Sequence, residues 1–255
     1  MHTIDLKNKG YRTDLVIDEI TREKDTKLSS KILEKTKNVT VEEVIIDEKT
    51  NCNKKKGIYE TISFTDITDK NNFKEVEELA IKTLKNMLNK LNISSNAKIL
   101  VVGLGNASST PDALGPKTLD HVLVTRHLFL LGDVEEGYRN VASFKPSVTG
   151  VTGIETKDLI EGIKEKIKPD ILIVIDALAS SSIERLNKTI QITSAGISPG
   201  SGVGNNRLEI SQDTLHIPVI AIGVPTVVDG ATIVENTLQL LLKKISYGLE
   251  NKENE

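Results

Sequence analysis

The sequence predicts an α/β protein with a mainly parallel central sheet flanked by helices. Three observations carry this. Ile99-Leu100-Val101-Val102, Ile171-Leu172-Ile173-Val174-Ile175 and Val219-Ile220-Ala221-Ile222 are short continuous apolar runs, the pattern of strands buried on both faces. Segments of helical period lie between them. Strand and helix signals alternate rather than cluster, as in βαβ architecture. The chain has 255 residues, an ordinary size for one large α/β domain.

The elements follow in order. Residues 1 to about 40 are polar with mixed charge, and a loose arm followed by a short helix is expected. Residues 41–47 and 58–65 are rich in Ile, Val and aromatics and read as paired strands, an N-terminal β-hairpin extension. Their long polar connection ends in Gly57 and holds Cys52, which reads as an incidental exposed thiol because no nucleophile pattern surrounds it. Thr68 or Asp69 is placed to cap the next helix. Its apolar face is Val76, Leu79, Ala80, Leu84, Met87, Leu88 and Leu91, spaced mostly by three and four. A strand over 98–102 follows. Helices are expected over 117–123, 156–168 and 231–246, with a shorter strand at 190–192 and a frayed tail at 250–255.

Composition excludes several functions. The net charge is −3, from 33 basic and 36 acidic side chains, which fits neither a basic nucleic-acid coat nor a polyacidic tail. There is no Trp, with four Phe and four Tyr, too few rings for base-stacking platforms, so no direct nucleic-acid partner is expected. No stretch approaches the ~20 apolar residues of a membrane span, and the N-terminus lacks a signal core. One cysteine excludes an internal disulfide and a multi-cysteine zinc site, and points to a reducing, cytoplasmic compartment. His2, His121, His127 and His216 show no metal-ligand spacing. His127 is expected to be buried and hydrogen-bonded. No cofactor or metal is expected; a loose site of Asp112, Asp176 and one His is the weaker alternative.

In open α/β sheets, sites form beyond the carboxyl ends of the strands. Three segments follow the apolar runs: Gly103 to Pro116, Asp176-Ala177-Leu178-Ala179-Ser180, and Gly223-Val224-Pro225-Thr226. All three are expected to be loops meeting at one sheet edge. Gly103-x-Gly105 is not a dinucleotide fingerprint, since position 108 is Ser and Pro111 interrupts the helix that should follow. No Gly-Lys-Ser/Thr ends either Gly-rich stretch, which excludes a Walker loop. Asp112 and Asp176 are the sharper signal. Each is either a local turn or helix-cap residue, or one of two carboxylates converging on a cleft. A converging pair splits its pKa values, one acid keeping its proton while the other ionises. The backbone amides of Gly103, Gly105 and Asn106 are candidate oxyanion donors. The second Gly-rich stretch, Gly196 to Arg207, reads as a substrate-facing loop or an anion nest. Arg207 either anchors a carboxylate or forms a surface ion pair. Ser201 lies in Gly-Ser-Gly but lacks the Gly-x-Ser-x-Gly form of a hydrolase elbow.

These motifs together resemble the spore germination protease family. The resemblance is carried by Val101-Val102-Gly103-Leu104-Gly105-Asn106, Thr110-Pro111-Asp112-Ala113-Leu114-Gly115-Pro116, Val124-Thr125-Arg126-His127-Leu128 and Ile175-Asp176-Ala177-Leu178-Ala179. Pro199-Gly200-Ser201-Gly202-Val203-Gly204-Asn205, Ala221 to Asp229 and the N-terminal Tyr11-Arg12-Thr13-Asp14-Leu15 add to it. It implies an endopeptidase of atypical aspartic type, acting on small acid-soluble spore proteins during germination. It implies a fold similar to hydrogenase maturation proteases (phosphorylase/hydrolase-like) and a homotetramer in the cytoplasm of the forespore or spore core. Asp112 and Asp176 fall on the family's two proposed catalytic aspartates. The family is made as a zymogen, and its substrates are cut between an acidic and an apolar residue. Asp14 and Leu15 have that form. The implied organisation is a propeptide 1–14 and a single protease domain 15–255, with arm and hairpin over 15–70 and core over 71–250. The alternatives are a metal-dependent hydrogenase-maturation-like protease and an inactive spore-protein binder. Family members continue well past the equivalent of Ala231.

Overall fold

A computed structural model describes residues 12–22, 28–50, 52–132, 134–204, 207–234, 237–238 and 240–242. Most of the expected propeptide and the expected tail lie outside these residues. In chain order the described elements are α1 (Val16–Arg22), β1 (Lys31–Lys35), β2 (Val39–Ile46), β3 (Gly57–Phe64), α2 (Lys70–Lys90), β4 (Ile99–Gly103), α3 (Leu114–Leu119), α4 (Arg126–Leu131), β5 (Val141–Phe144), α5 (Thr149–Thr152), α6 (Thr156–Ile167), β6 (Ile171–Ser180), β7 (Thr189–Thr193), α7 (Gln212–Leu215) and β8 (Val219–Val228). Helical backbone over 230–234, 237–238 and 240–242 begins the C-terminal helix.

One eight-stranded sheet runs β1-β2-β3-β7-β8-β6-β4-β5. β8, β6, β4 and β5 are mutually parallel, and they are the α/β core read from the apolar runs. The hairpin strands extend the same sheet: β3 pairs antiparallel with β7, and β7 antiparallel with β8. The sheet is therefore mixed, parallel over β8-β6-β4-β5 and antiparallel over β1-β2-β3-β7-β8.

Its two faces are covered differently. On one, α2 packs Val76, Leu79 and Met87 onto Ile62, Val101, Ile173, Ile192 and Ile220. Asp69 caps this helix, its carboxylate accepting from the amides of Asn71 and Asn72 at 2.9 and 3.1 Å. All seven expected apolar positions, from Val76 to the C-cap Leu91, lie in this core or pack against it. On the other face, Ile160 of α6 and Leu215 of α7 cover Leu100, Val102, Leu172 and Val174. Over the antiparallel half of that same face lie Leu15, Val16 and Ile17, packed with Leu178, Val44 and Tyr59. Between the two covers the sheet is open.

The structure corrects several expectations. Asp176 to Ser180 and Gly223 to Thr226 are not loops: β6 and β8 each run on for ten residues, paired with one another to Ser180 and Val228. The helix-cap alternative for Asp176 falls with this. Pro225 is tolerated in β8 because it adjoins a register shift: Leu178 pairs with Pro225 but Ala179 with Val227, leaving Thr226 as the extra residue of a bulge, where prolines in sheets are found. The helix expected at 117–123 is α3, which starts three residues earlier. His127 is exposed on α4 rather than buried. The edge strands β1 and β5 were not legible, being short and largely outside the core.

Candidate active site

β4 ends at Gly103, paired with Ile175, while β6 and β8 continue. The residue after Ile175 is thus the first of β6 with no β4 neighbour. That residue is Asp176. It pairs with Gly223 and shares the face of Val174 and Leu178, since strand side chains alternate. It is 6% exposed, and its Oδ1 accepts from the Ala177 amide at 2.9 Å.

Asp112 reaches the same place from the turn after β4. A 3₁₀ turn over Thr110–Asp112 presents it. The Asn106 amide donates to its Oδ2 at 2.9 Å. Gly105 has φ +104, and a Cβ there would lie 2.0 Å from the Asp112 carbonyl oxygen, so only glycine lets the turn close. Across the sheet, Thr226 Oγ1 donates to the Pro111 carbonyl at 2.6 Å, so the β8 bulge aims a hydroxyl that ties down the turn. Both aspartates line one cleft of about 280 Å³, together with Asp14, Gly105 and Arg207.

The two acids are electrostatically unequal. Burial pushes the Asp176 carboxyl well above the usual carboxylate range, and the neighbouring Asp112 raises it further, with a smaller contribution from Asp14. Burial raises Asp112 too, but the Asn106 amide opposes the shift. The first proton to leave the pair therefore comes from Asp112, and Asp176 keeps its own. One ionised carboxylate beside one carboxylic acid can take a proton from water while donating one to a carbonyl oxygen or a leaving amine.

The arm lies in the adjoining cleft. Asp14 N–H donates to the Ala179 carbonyl at 2.9 Å. Its carboxylate accepts from the Ala179 amide at 2.8 Å and from Ser201 Oγ at 2.7 Å. Gln191 holds the chain on either side of the Asp14–Leu15 bond: its Nε2 donates to the Asp14 carbonyl at 3.2 Å and its Oε1 accepts from the Val16 amide at 2.8 Å. Gln191 and Asp176 both pair with Gly223, which places them in one row two strands apart, about 10 Å. Lys54 Nζ donates to the Thr13 carbonyl. Leu15 is fully buried.

The other expected residues are placed as follows. Gly103 is the buried last residue of β4, packed against Gly115. The Leu104 amide is taken by the Ile175 carbonyl at 2.8 Å, and the Asn106 amide by Asp112, so Asn106 acts on the acid pair. Arg207 lines the cleft and donates to Glu155 at 3.2 Å, the ion pair of its two alternatives. Cys52 is half-buried, with Sγ accepting from the Lys54 amide at 3.1 Å. Sequence reasoning missed Ser201, Gln191 and Lys54 as partners of the arm. No local signal marks them, because these contacts join positions as far apart as 187 residues. Among the described residues no three His, Cys, Asp or Glu side chains cluster as a metal site, and no described helix is long and apolar enough to cross a membrane.

Known proteins share much of this sequence. Germination proteases of Bacillus cytotoxicus and Priestia megaterium are each 45% identical to the chain, over 99% and 98% of it and 72% and 71% of their own lengths. That of Bacillus mycoides is 46% identical over 98% of the chain and 71% of its own length. Among solved structures, a [NiFe] hydrogenase maturation protease, HycI of Thermococcus kodakarensis, aligns with 59% of this chain and 93% of its own at 16% identity and a TM-score of 0.35. The family model for germination protease, a peptidase family, matches residues 12–255, and the chain belongs to that family.

Proposed function

We propose that the chain is an endopeptidase of spore germination whose reacting groups are Asp112 and Asp176. The observation that supports this most is the pair itself: two carboxyl groups from separate segments share one cleft, with environments that pull their protonation apart. In this reading ionised Asp112 takes a proton from the attacking water. Protonated Asp176 gives its proton to the scissile carbonyl oxygen as the water adds. When the tetrahedral intermediate breaks its C–N bond, Asp112 passes the proton it took from water to the leaving amine, while Asp176 takes a proton back from a gem-diol hydroxyl. No cofactor takes part. Gly105 and Arg207 contact the bound polypeptide along the cleft wall.

The finer assignments rest on family membership. The substrates are small acid-soluble spore proteins, the compartment is the cytoplasm of the forespore or spore core, and the working form is a homotetramer. The chain is a zymogen, with residues 1–14 as propeptide and 15–255 as protease domain. Self-cleavage between Asp14 and Leu15 is supported by Asp14 lining the same cleft as the two acids, with its carbonyl held by Gln191.

The test is mass spectrometry of a small acid-soluble spore protein incubated with the chain, beside its Asp112→Asn and Asp176→Asn variants. The expected result is a cut after an acidic residue that falls by ~10²-fold or more in each variant. Equal cutting by either variant removes that aspartate from the mechanism. A self-processed product beginning anywhere but Leu15 removes the proposed propeptide boundary.

A further inference from the structure

The arm shows how the cleft holds a polypeptide, and one of its contacts is selective. The Asp14 carboxylate sits in a socket made by the Ala179 amide at 2.8 Å and Ser201 Oγ at 2.7 Å. Both are donors, which suits an ionised acid. The socket is tight: a Cβ on Gly202 would lie 2.3 Å from Asp14 Oδ2 and 2.5 Å from the Ala179 Cβ. Glycine at 202 therefore makes room for the carboxylate, because Gly202 has no left-handed φ to require it. The backbone of the seated residue is held independently, by Gln191 and by the Ala179 carbonyl. The Lys54 ammonium stands nearby, on the Thr13 carbonyl and 4.0 Å from Glu19. The next residue, Leu15, enters an apolar site with Ile17 and Leu178.

We infer that Ser201 and the Ala179 amide form a carboxylate-reading subsite, which selects an acidic side chain in the polypeptide lying across the end of β6, with Gly202 setting its depth. Ser201 is thus a specificity-determining residue rather than a nucleophile. An amide in place of the acid would set an N–H₂ or a weaker oxygen against two donors, and the buried mismatch disfavours it. This rests on the reading of Asp14–Leu15 as the self-cleaved bond, but the socket itself is testable without cleavage.

The experiment uses the full chain, its Asp14→Asn and Ser201→Ala variants, and the double variant. Two quantities are read: the rate at which a product beginning at Leu15 appears, by intact mass, and the deuterium uptake of residues 12–18. The expected result is a roughly tenfold loss of rate in each single variant, about 1.4 kcal/mol in the transition state, with roughly tenfold faster exchange in the arm. The double variant should be no worse than the worse single one, since both act on one contact. Gly202→Ala should give the same phenotype by filling the socket. Faster exchange in both single variants, with no product from any chain including the wild type, leaves the subsite standing and overturns self-cleavage. Wild-type rate and exchange in Ser201→Ala, or losses that add in the double variant, overturn the subsite.

Discussion

At Asp176 burial and the adjacent Asp112 both oppose ionisation, and this has a consequence for stability. In the unfolded chain the group titrates near its ordinary value of 3.8. Between that pH and its raised folded value, the native state holds a proton that the unfolded state has lost. Stability from this group is therefore fully present below pH 3.8 and is lost as pH rises toward the folded value. Asp176→Asn keeps an oxygen for the Ala177 amide but cannot ionise. Calorimetry at two pH values should show the variant melting a few degrees above wild type at pH 7, at about 2–4 °C per kcal/mol. The gap should close near pH 4. A variant less stable at pH 7 would show that Asp176 is held for structure and not as a strained acid. The same inequality sets the rate profile. On the proposed mechanism turnover needs Asp112 ionised and Asp176 protonated, so it should fall on the alkaline side as Asp176 ionises and on the acid side as Asp112 takes a proton.

The strands decide where these acids stand. The three apolar runs were legible because each is covered on both faces, by α2 on one side and by α6 and α7 on the other. Beyond Ile175 and Ile222 the pattern fades to Asp-Ala-Leu-Ala-Ser and Gly-Val-Pro-Thr. There the sheet borders an open cleft and small or polar side chains face it. These segments look like loops although they remain paired, and Pro225 strengthens the illusion until the bulge beside it is seen. Asp112 and Asp176 were still legible, because their position after a buried run does not depend on whether the chain then turns or continues. The bulge has a mechanical role. It turns Thr226 Oγ1 onto the Pro111 carbonyl, next to Asp112. Thr226→Val keeps the β-branched shape and removes that hydroxyl. In steady-state kinetics on a spore-protein substrate it should lower kcat about tenfold with KM little changed, because the substrate track is intact and only the turn carrying Asp112 loosens. A rise in KM alone would instead place Thr226 against the substrate.

Across the whole molecule, the face that carries the acids is divided: helices cover the parallel half, and the arm covers much of the antiparallel half. The arm is fastened well beyond the proposed cleavage point. Asp18 is 2% exposed. It accepts from Ser180 Oγ at 3.1 Å and from the Ser181 amide at 2.8 Å, and pairs with Arg185 Nε at 2.8 Å. Thr13 Oγ1 also donates to it, at 2.5 Å. Leu15, Val16 and Ile17 are buried behind it. The proposed cut after Asp14 would thus free the chain that occupies the proposed socket, while residues 15–22 stay anchored to the end of β6. Asp18→Ala should break that anchor. Removing one partner of a buried ion pair costs about 3–5 kcal/mol, and less here because Arg185 is partly in water, so roughly 2–3 kcal/mol. Thermal melts should fall by about 5–10 °C, and deuterium uptake should rise across both 12–18 and the Ser180–Ser181 corner. A melt within a degree of wild type would mean that the apolar contacts of Leu15 and Ile17 alone hold the arm, and that the carboxylate network only orients it.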